Sequence, residues 1–197
     1  MKKVLLFLTM AVVSLAVTAQ QLTPQHVRLQ APKAQKAAMA ENTLEFGYCG
    51  DLAQYLGFGM KGTFRALMKV TAADATKFAG TQIVSVKVGL GSFSSNPAAK
   101  IVILSDLNGS EPIYSQDFTP VKEDWNEVAL ETPYTLDSKE FYVGYEIYAS
   151  SAQNYPFGID ALTANANGDI VGYYDEKSGA YQYLSLGSQG FGNNCIK

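Results

Sequence analysis

Short extended runs recur along this chain, each closed off by Gly, Asn, Asp, Pro or Ser, and that rhythm limits the fold more than any other feature. They fall near Leu44–Cys49, Phe64–Val70, Ile83–Leu90, Lys100–Ser105, Ile113–Phe118, Glu127–Glu131, Glu140–Tyr148, Phe157–Asp160, Ile170–Tyr174, Tyr181–Leu186 and Asn194–Ile196. Many short strands at this spacing make an all-β sandwich or barrel. In SVKVGL, Val84, Val86, Val88 and Leu90 share one side, and Ser85, Lys87 and Gly89 the other. That is a strand wet on one face, as an antiparallel sandwich requires. Farther on, Phe141, Val143, Tyr145 and Ile147 alternate with Tyr142, Gly144, Glu146 and Tyr148. Ile101–Leu104 is apolar throughout, which predicts a central strand covered on both faces. Asn108-Gly109 and Asn167-Gly168 suit positive φ, and each is expected to join paired strands.

One helix interrupts the pattern. Thr71 can cap a first turn, Asp74 suits its N-terminus, and Gly80 is a natural stop. The spacing predicts a helix over about Ala72–Ala79, with Ala75 and Phe78 inward.

Residues 1–19 read as a secretory signal peptide. Lys2 and Lys3 precede the apolar run Val4–Val17, and Val17-Thr18-Ala19 is a small-residue cleavage signal. The run is too short for a membrane span, and no later stretch is long and apolar enough. The expectation is an exported protein, in the periplasm or at the cell surface, without membrane insertion. Residues 20–43, rich in Gln, Ala and Lys, read as a flexible leader. Residues 44–197 then suffice for one domain with its own core.

Charge and residue inventory exclude several classes of function. The net charge is −3, and Arg28 and Arg65 are the only arginines, so no basic stripe exists for nucleic acid. His26 is the sole histidine and lies in the leader, which leaves Ser–His and Cys–His chemistry without a base. No glycine-rich loop leads into a helix to cradle phosphate. Glu123 with Asp124, and Asp175 with Glu176, are carboxylate pairs of the kind glycosidases use, but neighbours on a turn are more commonly solvated charge.

Cys49 and Cys195 sit near the two ends of the domain. An oxidising compartment permits a disulfide between them, worth on the order of 4–5 kcal/mol for so long a loop. The alternative is two separate thiols on buried strands.

The motifs ADATKFAGTQIVSVKVGLG, AKIVILSDLNGSEPIYSQDFT, WNEVALETPYTLDSKEFYVGYEI, YPFGID and GFGNNCIK, in that order, resemble the cleaved-adhesin jelly-roll domain of secreted Bacteroidetes proteins, including the adhesin regions of gingipains. The resemblance covers roughly Leu44 to Lys197. It implies an all-β jelly-roll sandwich with one short helix and no catalysis. It further implies an adhesin-like module that binds a glycan, a host protein or a haem compound. Some relatives bind structural calcium. Relatives are usually modules of larger surface proteins, so assembly with cell-surface proteins as an accessory subunit is the alternative.

Candidate ligand-binding residues are aromatic. Trp125 is out of phase with Val128 and Leu130, which places it at a rim, either to stack on a sugar or haem or to cap the core. Twelve tyrosines are the most distinctive feature of the composition. Tyr142 and Tyr148 share a strand face, and Tyr173, Tyr174, Tyr181 and Tyr183 crowd one hairpin. Flat rings beside Asp175, Glu176 and Gln182 suit a carbohydrate platform, while cross-strand aromatic pairing is the structural alternative. Asp106, Asn108 and Glu111 in SDLNGSE offer oxygens for calcium, although D-x-N-G is also an ordinary turn. Asp51 and Asp160 are further oxygen donors of the same kind.

Overall fold

A computed structural model describes residues 23–25, 43–94, 97–108 and 111–197. The signal-peptide reading and most of the leader lie outside the described residues. The strands are β1 (Thr23–Gln25), β2 (Gln54–Gly57), β3 (Gly62–Val70), β4 (Gln82–Ser92), β5 (Ala99–Leu104), β6 (Tyr114–Phe118), β7 (Trp125–Thr135), β8 (Phe141–Ala149), β9 (Tyr155–Ile159), β10 (Ile170–Asp175) and β11 (Ala180–Ser185).

The innermost pair is β5–β6, and β4–β7, β3–β8 and β2–β9 nest around it, all antiparallel. Successive pairs lie in alternate sheets, so the long hairpin folds over itself as a jelly roll. One sheet has the order β1-β2-β9-β4-β7, and the other β11-β10-β3-β8-β5-β6. The sandwich expected from the alternation is what forms. The alternating apolar sets meet between the sheets: Phe64, Ala66 and Met68 of β3, Val86, Val88 and Leu90 of β4, and Val143, Tyr145 and Ile147 of β8. Rings fill one end, where Phe58 stacks on Phe64 at 5.1 Å and meets Phe157 edge-on at 5.6 Å. Ile101–Leu104 is fully covered as expected, Ile101 and Ile103 by the core and Val102 and Leu104 on the opposite face.

The helix α1 spans Ala72–Lys77, with the Thr71 side chain accepting from the Asp74 N–H and Ala75 fully buried. Phe78 ends it and packs on Phe46.

Several expectations need correction. Val84 does not join the core: the β4–β7 register shifts between Ile83 and Ser85, so Ile83 packs inward and Val84 is 44% exposed. A bulge inverts the alternation beyond it. Leu44–Cys49 is irregular chain, and the first inner strand is the shorter β2, which glycines in YLGFG disguise. Within the segment read as leader, Thr23–Gln25 pairs with β2. Asn167-Gly168 joins no paired strands, because β9 and β10 belong to different sheets.

Candidate functional site

β10 and β11 are extra to the jelly roll. They extend the six-stranded sheet beyond β3 and bring a tyrosine-rich hairpin beside the strand that carries Arg65. The hairpin closes over residues 176–179: Asp175 accepts from the Lys177 N–H at 3.0 Å, the Gly179 N–H donates to the Asp175 carbonyl, and Gly179 takes φ +67°. Strand parity then decides where each ring goes. Tyr173 turns inward and meets Phe58 edge-on at 5.4 Å. It belongs to the core and not to a surface platform. Tyr174, Tyr181 and Tyr183 take the outer face. Tyr174 meets Tyr181 edge-on at 5.3 Å, and Tyr181 stacks on Tyr183 at 5.9 Å and 25°.

The rings rest on a charge pair that the search for aromatic residues passes over. Arg65 on β3 and Glu146 on β8 are register partners, and Arg65 is only 2% exposed. Glu146 Oε2 accepts from Arg65 Nε at 3.0 Å and lies 2.9 Å from Nη2. The same oxygen accepts from the Tyr181 hydroxyl at 2.7 Å. Arg65 Nη1 donates to the Tyr183 hydroxyl at 3.2 Å, and the guanidinium lies 3.7 Å from the Tyr181 ring centroid. A buried guanidinium is tolerable only with this degree of pairing. Burial works against the charge on Arg65, but the Tyr183 hydroxyl, then Tyr181 and Glu146, outweigh it and raise its pKa. Burial, then donation to Glu146, pushes the Tyr181 hydroxyl far above its ordinary value, and burial raises Tyr183 as well.

Gly172 sets the height of the platform. A Cβ there would stand 2.6 Å from the Tyr183 ring, so the bare backbone lets that ring lie across β10 toward Arg65. Beyond it the floor is aliphatic: Leu67, Val102 and Leu104 are covered by Tyr183, Tyr142, Leu107 and Ile170. Tyr142 marks the far side of this floor, with Lys69 Nζ 5.9 Å from its ring and paired to Glu140 at 2.9 Å. Tyr148 shares the face but opposes Thr63 at the other end of β8, 45% exposed.

Trp125 lies elsewhere. It opens β7 opposite Gly89, on the outer face of the five-stranded sheet, with Lys87 Nζ 5.0 Å and Lys197 Nζ 5.6 Å from its ring.

The proposed calcium donors are committed to turns. Asp106 accepts from the Asn108 N–H at 2.8 Å and from the Ser105 hydroxyl, while Glu111 is exposed. Asp160 receives the N–H groups of Gly50, Leu162 and Asn193, so it knits three segments with hydrogen bonds and faces donors. Among the described residues no three His, Cys, Asp or Glu side chains cluster as metal ligands. Cys49 and Cys195 are free thiols, and the Cys49 thiol donates to the carbonyl of Ile196, the residue after Cys195, at 3.5 Å.

A cleft of about 390 Å³ opens at one end of the sandwich between Leu162, Ala166, Asp169 and Phe191. Its carboxylate accepts from the Ser185 hydroxyl and the Gly187 N–H through Oδ2, while Oδ1 is buried without a hydrogen-bond partner. The outer tyrosine face therefore holds the richer set of recognition groups. Arg65, Glu146 and Gly172 are its residues missed in sequence. A signal existed: Arg65 shares the outward phase of β3 with Thr63, Leu67 and Lys69, and Glu146 is the one charged residue of β8. Among the described residues no helix is long and apolar enough to cross a membrane.

Compared with models of known families, with curated proteins and with solved structures, the chain has no significant match.

Proposed function

We propose that this chain is a non-catalytic, adhesin-like binding module that takes a glycan on the outer face of its six-stranded sheet. One observation carries the reading: Tyr174, Tyr181 and Tyr183 stand side by side, the last two held by buried Arg65 and its partner Glu146. Sugar rings offer a CH face to aromatic rings and hydroxyls to polar groups at their margin. Rings fixed before the ligand arrives lose little entropy on binding. Tyr174, 36% exposed, is the ring a ligand meets first, and Glu176 and Lys177 of the adjoining turn are exposed.

Isothermal titration against glycans retained on an array tests this. Tyr174→Ala should weaken binding at least tenfold, about 1.4 kcal/mol, and leave the melting temperature in place. A wild-type protein that retains no glycan, or a Tyr174→Ala protein that binds equally well, removes the proposal.

A second reading, an accessory subunit of a surface assembly, has its own observation. The β7 edge is closed by Gln116 of β6, which accepts from the Glu131 N–H at 2.8 Å and donates to the Ala129 carbonyl at 3.0 Å. Among the described residues, β11 ends its sheet with another strand on one side only. An edge of that kind accepts a strand from a partner. Co-purifying partners that shield the β11 amides from exchange, without glycan binding, favour this reading.

A further inference from the structure

The five-stranded sheet is split at one end. β4 and β9 pair only at Leu90–Phe157 and Ser92–Tyr155. Past that point they part, and residues 193–197 fill the gap. Ile159 bridges Asn194 and Val88 bridges Ile196. The Cys195 N–H donates to the Gly158 carbonyl at 2.9 Å, the Gly89 N–H to the Cys195 carbonyl at 2.7 Å, and Lys87 and Lys197 exchange both their bonds. Ile196 enters the core, so Cys195 faces the opposite side of the sheet. There it lies against Gly89, where a Cβ would come within 2.6 Å of the Cys195 Cβ. The irregular segment that precedes β2 covers this spot. Glu45 pairs with Lys197 at 2.9 Å, and the Cys49 thiol donates to the Ile196 carbonyl at 3.5 Å. Two thiols from opposite ends of the described domain thus meet over the inserted segment, one half-buried and one fully buried.

We propose that Cys49 and Cys195 form a dithiol pair that a disulfide-bearing oxidant closes into an intramolecular disulfide, with Cys49 attacking and Cys195 resolving. The Cys49 thiolate attacks one sulfur of the external disulfide. A mixed disulfide forms and one external thiolate leaves. Cys195 then loses its proton and attacks the Cys49 sulfur, and the second external thiolate leaves. The two protein thiols give up two electrons and two protons, and the external disulfide becomes two thiols. The division of roles follows from position. Cys49 is the less buried of the two residues, and its interaction with Cys195, with Lys197 nearby, favours its thiolate. Burial holds Cys195 protonated until the mixed disulfide is beside it. Closure staples residues 193–197 into the split between β4 and β9.

Oxidised glutathione is the probe, applied to the folded chain and followed by maleimide labelling in denaturant. The wild type should lose both labelled thiols, yield a linked Cys49–Cys195 peptide on digestion, and regain both thiols with dithiothreitol. Cys195→Ser should accumulate a glutathione adduct on Cys49, and Cys49→Ser should accumulate none. If Cys195→Ser does not fold, Cys195→Ala serves for the same comparison. Amide exchange at Gly89, Cys195 and Lys197 should slow on oxidation and recover on reduction. Two thiols still labelled after oxidation, adducts forming equally at either cysteine, or exchange unchanged by closure would each overturn the proposal.

Discussion

The two outer faces of the sandwich hold their aromatic rings by different means. On the six-stranded face, Tyr181 and Tyr183 are anchored to a guanidinium that is 2% exposed and to its register partner Glu146. On the five-stranded face, Trp125 lies under the ammonium groups of Lys87 and Lys197, both partly in water. Buried donors leave their partners few alternatives, because an unpaired charge there is severely penalised. Lysine tips in water exchange partners freely and are screened by salt. One face is therefore a rigid surface prepared in advance, and the other a ring with a loose electrostatic cover.

Truncating Arg65 puts this contrast to its strongest test. Arg65→Ala removes a buried guanidinium that partners the partly buried Glu146 carboxylate and donates to Tyr183, and should destabilise the fold by about 3–5 kcal/mol in urea unfolding. It should also abolish glycan binding in residual folded protein. A loss below about 1 kcal/mol would mean that the pair behaves like surface charge, and the two faces would then not differ in kind.

Two glycines separate packing from recognition. Gly89→Ala drives a Cβ to 2.6 Å from the Cys195 Cβ, which the inserted segment holds in place. Gly172→Ala meets the Tyr183 ring, which can swing aside. Overpacking of this sort costs about 1–3 kcal/mol. Gly89→Ala should fall in the upper part of that range and leave the glycan affinity intact. Gly172→Ala should fall in the lower part and weaken binding, because the displaced ring breaks the platform. Thermal unfolding and titration together separate the two outcomes, and a reversal of the pattern would place recognition on the other face.

Alkali should act on the tyrosine face. Tyr181 and Tyr183 titrate above the ordinary value of 10.0 in the folded chain, as do buried Tyr145 and Tyr55 and partly buried Tyr134. The folded state thus keeps protons that the unfolded chain releases. Stability should be full below about pH 10 and fall as the pH rises beyond it. Tyr181→Phe should lower stability at neutral pH, since Glu146 loses a donor, and should flatten the alkaline fall. An unchanged slope in that variant would assign the fall to the other tyrosines.

How far the sequence led depends on the range of the interactions involved. Alternation in β8 and β4 marks the core because side-chain direction is a local property of a strand. The capped helix was legible for the same reason. The platform was not, since it needs the register of β3 against both β8 and β10. Arg65 meets Glu146 across 81 residues and Tyr183 across 118. Tyr173 and Tyr174 look equivalent as neighbours, yet parity sends one to Phe58 and the other to solvent. The bulge at Ile83–Ser85 and the brevity of β2 defeated simple counting, because a single inserted residue or glycine leaves no periodic trace.

The smallest expected effect falls on the looser face. Lys87 Nζ is 5.0 Å from the Trp125 ring centroid and 3.8 Å from Glu45 Oε2, and its side chain is about one-third exposed. A cation over an exposed ring contributes about 0.5–1 kcal/mol, and a partly exposed ion pair adds little more. Lys197 stands over the same ring and pairs more closely with the same glutamate, so it can take over much of the contact. Lys87→Gln should therefore destabilise by about 0.5 kcal/mol at low salt, and the difference should vanish near 1 M salt as screening shortens to about 3 Å. Salt should spare Arg65→Ala, whose effect arises from burial. If both variants responded to salt alike, the guanidinium would be reached by ions and the six-stranded face would not be the preorganised one.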